Sequence, residues 1–449
     1  MIKERINSIN DDGIFKKGLA YSLLFLIAVI ITLEKSGFRY TSLLPYCLFS
    51  LVFIIWSSRC YSLMKETDFL FAPIFLICGS LYAALLPITS DELPAAGIIS
   101  YGDGATFSRI FSLPSFWILK LFGAEINSCV YFARFVNLIC CAVLIWFSIK
   151  SIPYCNNIAA AVCLLPASMR SFATAAPQGT TLATSLLFIS LALRAAYTKE
   201  TYIISRKYMF ALTSSTILML FCNISTLPFI SLLFMIPSNR FGHRGRYVRF
   251  LIIIGISIVI CLLLWTFGAA IAVLGPVEGL SRSSQLLYII EHPVYYVTVI
   301  ARTIFTDGMR VFSEFFYTIP TYLETIPEIK LPWILAISLL ICLIYVAYFD
   351  SGLSPRREKI IRTTGISTLV FIAVQITFYY LARTPLGNEV ILGIDGGVFL
   401  PVILPTAMFI KRLCKHPAAP QKNFTESLLV MSLANLATII VIYYSLSSI

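Results

Sequence analysis

The chain has 449 residues, of which 58% are hydrophobic and 12% charged, with a mean hydropathy of +0.86 and a formal net charge of +12. Soluble domains carry roughly 25% charged residues, so this composition excludes an ordinary soluble enzyme. Several unbroken apolar runs of about 18 residues or more specify an all-α polytopic integral membrane protein. The weaker, even alternation of a transmembrane barrel is absent.

With the N-terminus inside, thirteen hydrophobic spans follow at 17–34, 41–57, 68–88, 129–149, 157–172, 178–197, 208–222, 224–237, 250–274, 331–349, 364–382, 393–410 and 427–446. The leading MIKERINSINDDGIFKK is too polar, and the span after it too long, for a cleaved signal peptide, so span 17–34 is expected to be retained. Three spans are short and interrupted: 157–172 by Pro166, and 208–222 and 224–237 by Asn223 and Pro228. Such breaks are tolerated in lipid only where protein or a wet cavity covers the freed backbone groups.

This threading puts 23 of the 34 Lys and Arg on the inner side, in clusters such as Arg240, Arg244, Arg246 and Arg249. The inner side then carries a net +14 and the outer side −2. That is the positive-inside pattern, and anionic lipid is the one partner it requires. The basic charge is therefore topology and not a nucleic-acid footprint. The twelve cysteines scatter through the spans with no CxxC pair, which reads as small hydrophobes with neither a disulfide framework nor a zinc site.

The outer loop 89–128 opens with the stretch LPITSDELPAAGIISYGDG, residues 86–104. Asp91 and Glu92, bracketed by Pro87 and Pro94, sit at the end of a span in a loop the prolines hold irregular. A carboxylate there is either a solvated span cap or a general base, whose pKa partial desolvation raises towards the working pH. Asp103, in Tyr-Gly-Asp-Gly, is first a turn residue and second a further polar contact. FSRIFSLPSFWILKLFG, residues 107–123, then presents an apolar, aromatic surface bearing only Arg109 and Lys120. It is expected to lie in the interface as two short helices split by Pro114. Arg134 follows inside span 129–149, where an unpaired guanidinium costs about 2.5 kcal/mol or more. It either snorkels to headgroups or pairs with a carboxylate or a lipid phosphate.

The second long outer loop, 275–330, carries Glu291, Arg302, Asp307, Arg310 and Glu314 in a segment too charged to cross lipid. It is expected to be another interfacial helix, with Tyr and Phe at headgroup level. Arg109 and Arg134, with Arg170, Arg302, Arg310 and Arg383, are candidate contacts for an anionic lipid head, since the outer side has eight Arg to three Lys and Arg suits bidentate phosphate binding. His243, His292 and His416 fall in different loops and cannot build one metal site. No GxSxG, HExxH, P-loop or DxD motif occurs. A divalent cation on Asp91, Glu92 and Asp103 has no motif behind it, so no cofactor is expected. The inner loops are short and basic, with no Gly-rich phosphate cradle, so chemistry belongs on the outer face. An enzyme there must draw on a donor already presented in the bilayer.

These parts, in order over roughly residues 68–412, resemble a family of bacterial polytopic membrane proteins defined by a domain of unknown function, which itself looks like the GT-C type of glycosyltransferase. The resemblance is carried by SDEL, by PSFWILKLFG leading into YFARFVNL, by LLPASMRSFATAAPQGTTLATSLLFI, by EHPVYYVTVIARTI and by GIDGGVFLPVILP. The chain departs from the pattern at Gln178, where the family has Asp, and at Thr226-Leu227-Pro228 in place of a Lys-Pro pair. It departs again at Gly396-Gly397-Val398, in place of Gly-Arg-Tyr, and lacks a histidine after the acidic pair.

The resemblance implies a GT-C-like core over 68–412, with residues 1–67 adding an N-terminal tail and two spans, and 413–449 a last loop and span. It also implies an inner-membrane enzyme with a periplasmic site. A sugar passes from a polyprenyl-phosphate donor to a surface polysaccharide such as O-antigen, with inversion. The implied partners are that donor, the polysaccharide acceptor, a small flippase and a polyprenyl-phosphate glycosyltransferase. Asp91 is then the base, Glu92 its backup or an acceptor contact, and Arg109 and Arg134 the donor-phosphate clamp. The competing expectations are a polysaccharide polymerase or ligase centred on Arg302 and Arg310, a lipid-sugar flippase, and an inactive scaffold.

Overall fold

The computed structural model describes residues 66–86, 107–153, 155–174, 176–197, 203–272, 282–317, 333–349, 358–385, 387–413 and 430–441. Within them the chain is helical, with no strand. The expected spans 17–34 and 41–57, the N-terminal tail, and Asp91, Glu92 and Asp103 lie outside the described residues. Four helices are long and apolar enough to cross a membrane: Ile126–Ser151, Pro177–Tyr197, Arg244–Trp265 and Arg362–Leu381. Shorter apolar helices lie at Ile74–Ala83, Ile224–Met235, Leu335–Ala347, Gly396–Met408 and Val430–Val441. This is a membrane protein.

In chain order, α1 is Glu66–Leu85, α2 Ser112–Leu121 and α3 Ile126–Ser151. Pro114 does not split the interfacial segment as expected. It sits in the first turn of α2, where its missing N–H costs nothing because first-turn donors have no intrahelical acceptor. Helix α2 lays Phe116 against Cys129, Val130 and Ala133 of α3 and leaves Trp117, Ile118, Leu121 and Phe122 exposed.

The expected span 157–172 is two helices, α4 (Asn156–Cys163) and α5 (Pro166–Ala173), both buried. Pro166 opens the second, the position that suits its fixed φ. The break is covered by protein: Asn435, from the helix Val430–Val441, donates to the Leu164 carbonyl at 2.7 Å, and Ser168 Oγ donates to Val162 at 2.7 Å. Next, α6 (Pro177–Tyr197) is the central helix, buried along nearly its whole length against α3, α5 and α7. Its small residues allow close approach. A Cβ on Gly179 would come within 2.4 Å of the Ser171 carbonyl oxygen.

Helix α7 (Arg206–Cys222) ends at Asn223, which turns the chain into a twelve-residue 3-10 helix, Ile224–Met235, and caps it by accepting from Ser225 N. Trp265 of α8 (Arg244–Ala272) donates towards the Leu220 and Phe221 carbonyls freed at that break. The hairpin closes at its far end, where Ile204 N donates to the Arg240 carbonyl at 2.8 Å. At 2.0 Å per residue, the 3-10 arm covers about 24 Å, nearly the same rise as the seventeen-residue α arm.

Helices α9 (Arg282–Glu291) and α10 (Pro293–Phe316) come from the second long loop; α11 is Trp333–Phe349 and α12 Glu358–Arg383. The expected span 393–410 is a continuous helical stretch that changes type: Gly396–Val402 is 3-10 and α13 (Ile403–Leu413) is α, with Pro401, which lacks a ladder donor, at the change. The described cysteines are free thiols.

Candidate functional site

Arg134 lies about two turns into α3, wholly buried. Its Nη1 donates to the Ala83 carbonyl at 2.9 Å and the Leu86 carbonyl at 2.7 Å. These carbonyls end α1, so a cation here complements the helix dipole and fixes the point from which the acidic stretch departs. Arg134 is thereby tied to the backbone at the end of α1. Downstream of the acidic stretch, the 3-10 turn Phe107–Arg109 contacts α6 and α7, and half-buried Arg109 sits at its end.

One turn along α3, Asn137 is also buried. Its amide nitrogen donates to the Phe172 carbonyl at 2.9 Å, and its oxygen accepts from Thr180 Oγ1 at 3.3 Å. Two residues before Thr180, Gln178 Nε2 donates to Asp395 Oδ2 at 2.8 Å. Asp395 caps the 3-10 helix Gly396–Val402 by accepting from Gly397 N at 2.8 Å. Gly396 N donates to Glu314 Oε2 at 3.1 Å. Gly396 must be glycine for that approach, since a Cβ would lie 2.2 Å from the Val311 carbonyl oxygen of α10.

On α10, Arg310 pairs with Glu314 at 2.6 Å and with Asp307 at 3.2 Å. Burial raises the Glu314 carboxyl above its ordinary range; the Arg310 guanidinium and the Gly396 N–H pull it back, and Asp395 pushes it up again. Gln178, Asp395, Gly396, Glu314 and Arg310 thus form one polar row, while Arg134 with the end of α1, and Asn137 with Phe172 and Thr180, form separate bonded groups.

Of the expected site residues, Arg310 belongs to this row, Arg134 bonds the end of α1, and Arg109 ends the turn that contacts α6 and α7. Arg302 stands apart, about two turns back along α10, in an exposed pair with Glu389 at 2.6 Å. Exposed pairs of this kind contribute about 0–1 kcal/mol. Asp395 was missed in the sequence, although an Asp before two glycines and an apolar run is a helix-start signal. Gln178 and Gly396-Gly397, two of the departures from the resembled pattern, face each other across this row. Among the described residues, no group of three His, Cys, Asp or Glu could hold a metal ion.

A family model described as predicted membrane protein (DUF2142) matches residues 98–406. The chain belongs to this family. The DUF2142 match takes in Asp103, Arg109, Arg134, Gln178, Arg302, Arg310, Glu314 and Asp395, and begins just after Asp91 and Glu92. No match was found among curated proteins or among solved structures.

Proposed function

We propose that this DUF2142 protein is a glycosyltransferase of the bacterial inner membrane. It works on the periplasmic face, moving one sugar from a polyprenyl-phosphate donor to a surface polysaccharide of the O-antigen kind. The observation that carries this reading is a frame of two held ends that flank the acidic stretch in sequence. Arg134 bonds the Ala83 and Leu86 carbonyls before it, and α2, after it, packs Phe116 onto α3. A catalytic base needs such a frame, because a displacement of about 1 Å can cost about a hundredfold in rate.

In this reading Asp91 takes the proton from the acceptor hydroxyl as the new C–O bond forms at the anomeric carbon. The bond to the donor phosphate breaks in line, with inversion, and polyprenyl phosphate leaves. Glu92 is the backup base or an acceptor contact. Arg109 faces the donor phosphate, and Arg134 serves by holding the frame. A small flippase and a polyprenyl-phosphate glycosyltransferase supply the donor. Asp91→Asn is expected to abolish sugar addition while the protein still inserts, read as the surface-glycan composition of cells carrying each form. Wild-type modification in that variant overturns the assignment.

The polar row favours a second reading, a polysaccharide polymerase or ligase, because it gathers Arg310, Glu314 and Asp395 in the second outer loop's neighbourhood. Loss of chain joining in Arg302→Ala and Arg310→Ala, with side-branch sugars intact, would favour that reading over the first.

A further inference from the structure

At the far end of α6 from Gln178, where Arg240 bonds the Ala195 carbonyl, cations gather where helices least favour them. Helix α7 opens with Arg206 and Lys207, and the first turns of α8 carry Arg244, Arg246 and Arg249. The two starts lie together: Ile204 N donates to the Arg240 carbonyl at 2.8 Å, and α8 packs along α7 and against the 3-10 turn Ser238–Phe241. A Cβ on Gly242 would lie 3.8 Å from both the Ile203 side chain and Arg246 Nη1, so this guanidinium reaches back over the turn towards the start of α7. Arg206, Lys207, Arg244 and Arg249 are exposed, and Arg246 is half-buried. The chain has no Asp or Glu between 201 and 277. Among the described residues, no carboxylate forms a salt bridge with any of the five.

The start of a helix carries partial positive charge and N–H groups with no intrahelical acceptor, so it favours anions and disfavours cations. Topology accounts for the positive sign of this end. It does not account for five cations on two helix starts with no counter-charge nearby in the chain. Helix starts and arginines both bind phosphate, so the arrangement is that of an anion site. The layer beneath names the source of the phosphate. Phe210, one turn into α7, and Val248, Ile252 and Ile253, along the next turns of α8, are exposed apolar side chains. A phospholipid meets both layers, with phosphate at the helix starts and acyl chains on the apolar side chains below. A free phosphate or a nucleic acid would leave the apolar layer unused, and a second copy of this end would set like charges together. Two helix starts, each with its own pair of cations, match two phosphates in one headgroup, the kind that basic pockets between membrane helices hold.

We propose that the paired starts of α7 and α8 form a site for one phospholipid whose headgroup carries two phosphates. The site does not depend on the glycosyltransferase reading. It differs from diffuse attraction to anionic lipid in holding a single molecule.

The test uses the full chain in uncharged detergent, titrated with cardiolipin, with bound lipids counted by native mass spectrometry. One cardiolipin is expected to bind saturably, about tenfold or more tighter than phosphatidylglycerol, which offers one phosphate. Arg206→Gln with Lys207→Gln, and separately Arg244→Gln with Arg246→Gln, each weaken it about tenfold. Arg356→Gln with Arg357→Gln, which removes the same charge from another basic cluster, leaves it unchanged. Without lipid, the two site variants keep or raise the thermal midpoint, because they relieve cations at helix starts. Absence of a saturable cardiolipin, equal affinity for phosphatidylglycerol, or the same loss in the Arg356 and Arg357 variant overturns the proposal. So does a lowered lipid-free midpoint with cardiolipin binding unchanged, since the cations would then serve the fold. Inorganic pyrophosphate that displaces cardiolipin at equal concentration also overturns it, because the apolar layer would then add nothing.

Discussion

Two arginines wholly or almost wholly removed from solvent, Arg134 and Arg240, end on helix C-terminal carbonyls: Ala83 and Leu86 for the first, Ala195 for the second. Both follow from the same physics, a cation offsetting unpaired carbonyls and the negative end of a helix dipole. The sequence marks Arg134 as a charge inside a span that needs a partner. It does not name the partner, because the carbonyls belong to another helix about fifty residues upstream. Glu314 is the residue whose charge state is set by tertiary contact. Its folded-state pKa is raised above the ordinary 4.5, chiefly by burial. The folded state therefore holds the proton longer, and this group's contribution to stability is present below 4.5 and lost as pH rises through the raised value. Glu314→Gln removes the titration and keeps an acceptor for Gly396 N. The difference in thermal midpoint, variant minus wild type, is expected to grow as pH rises from about 4.5 and then level off. A flat difference would mean that the carboxyl is not desolvated.

At the scale of elements, the interrupted spans turn on what receives their freed backbone groups. Pro166 and Asn223 announce the breaks in the sequence. The groups that cover them, Asn435 and Ser168 for one and Trp265 for the other, come from elsewhere in the chain or from the far side of the break. Asn435→Leu keeps the size and removes the bond to the Leu164 carbonyl. It is expected to cost about 1 kcal/mol, the order found for buried hydrogen bonds in membrane proteins, read by reversible unfolding in mixed detergent. An unchanged unfolding midpoint would show that another group covers that carbonyl. The same logic explains why Pro114 was misjudged as a breaker: proline disrupts a helix interior, and whether a position is interior depends on where the helix starts.

The whole molecule has two chemically different ends, separated by the length of α6, about 30 Å at 1.5 Å per residue. Gln178, with Asp395 and Glu314 beyond it, lies at one end of that helix. At the other, Ala195 accepts from Arg240, which leads into Arg244, Arg246 and Arg249. With the basic end inside, as proposed above, the acidic stretch faces the periplasm. A reporter active only in the periplasm is expected to work when fused after residue 92 and to fail after residue 246. The reverse pattern would invert the topology and move the candidate site to the cytoplasm.

Membrane class, the approximate placing of the long helices and the clustering of basic residues are legible in the sequence. They depend on local transfer free energies and on composition summed over a window. The polar contacts do not, because the partners in each (Leu86 and Arg134, Gln178 and Asp395, Glu314 and Gly396) are far apart in the chain and meet only once the helices pack. A hydrogen bond reports distance and direction between atoms, and neither exists until tertiary structure brings those atoms together.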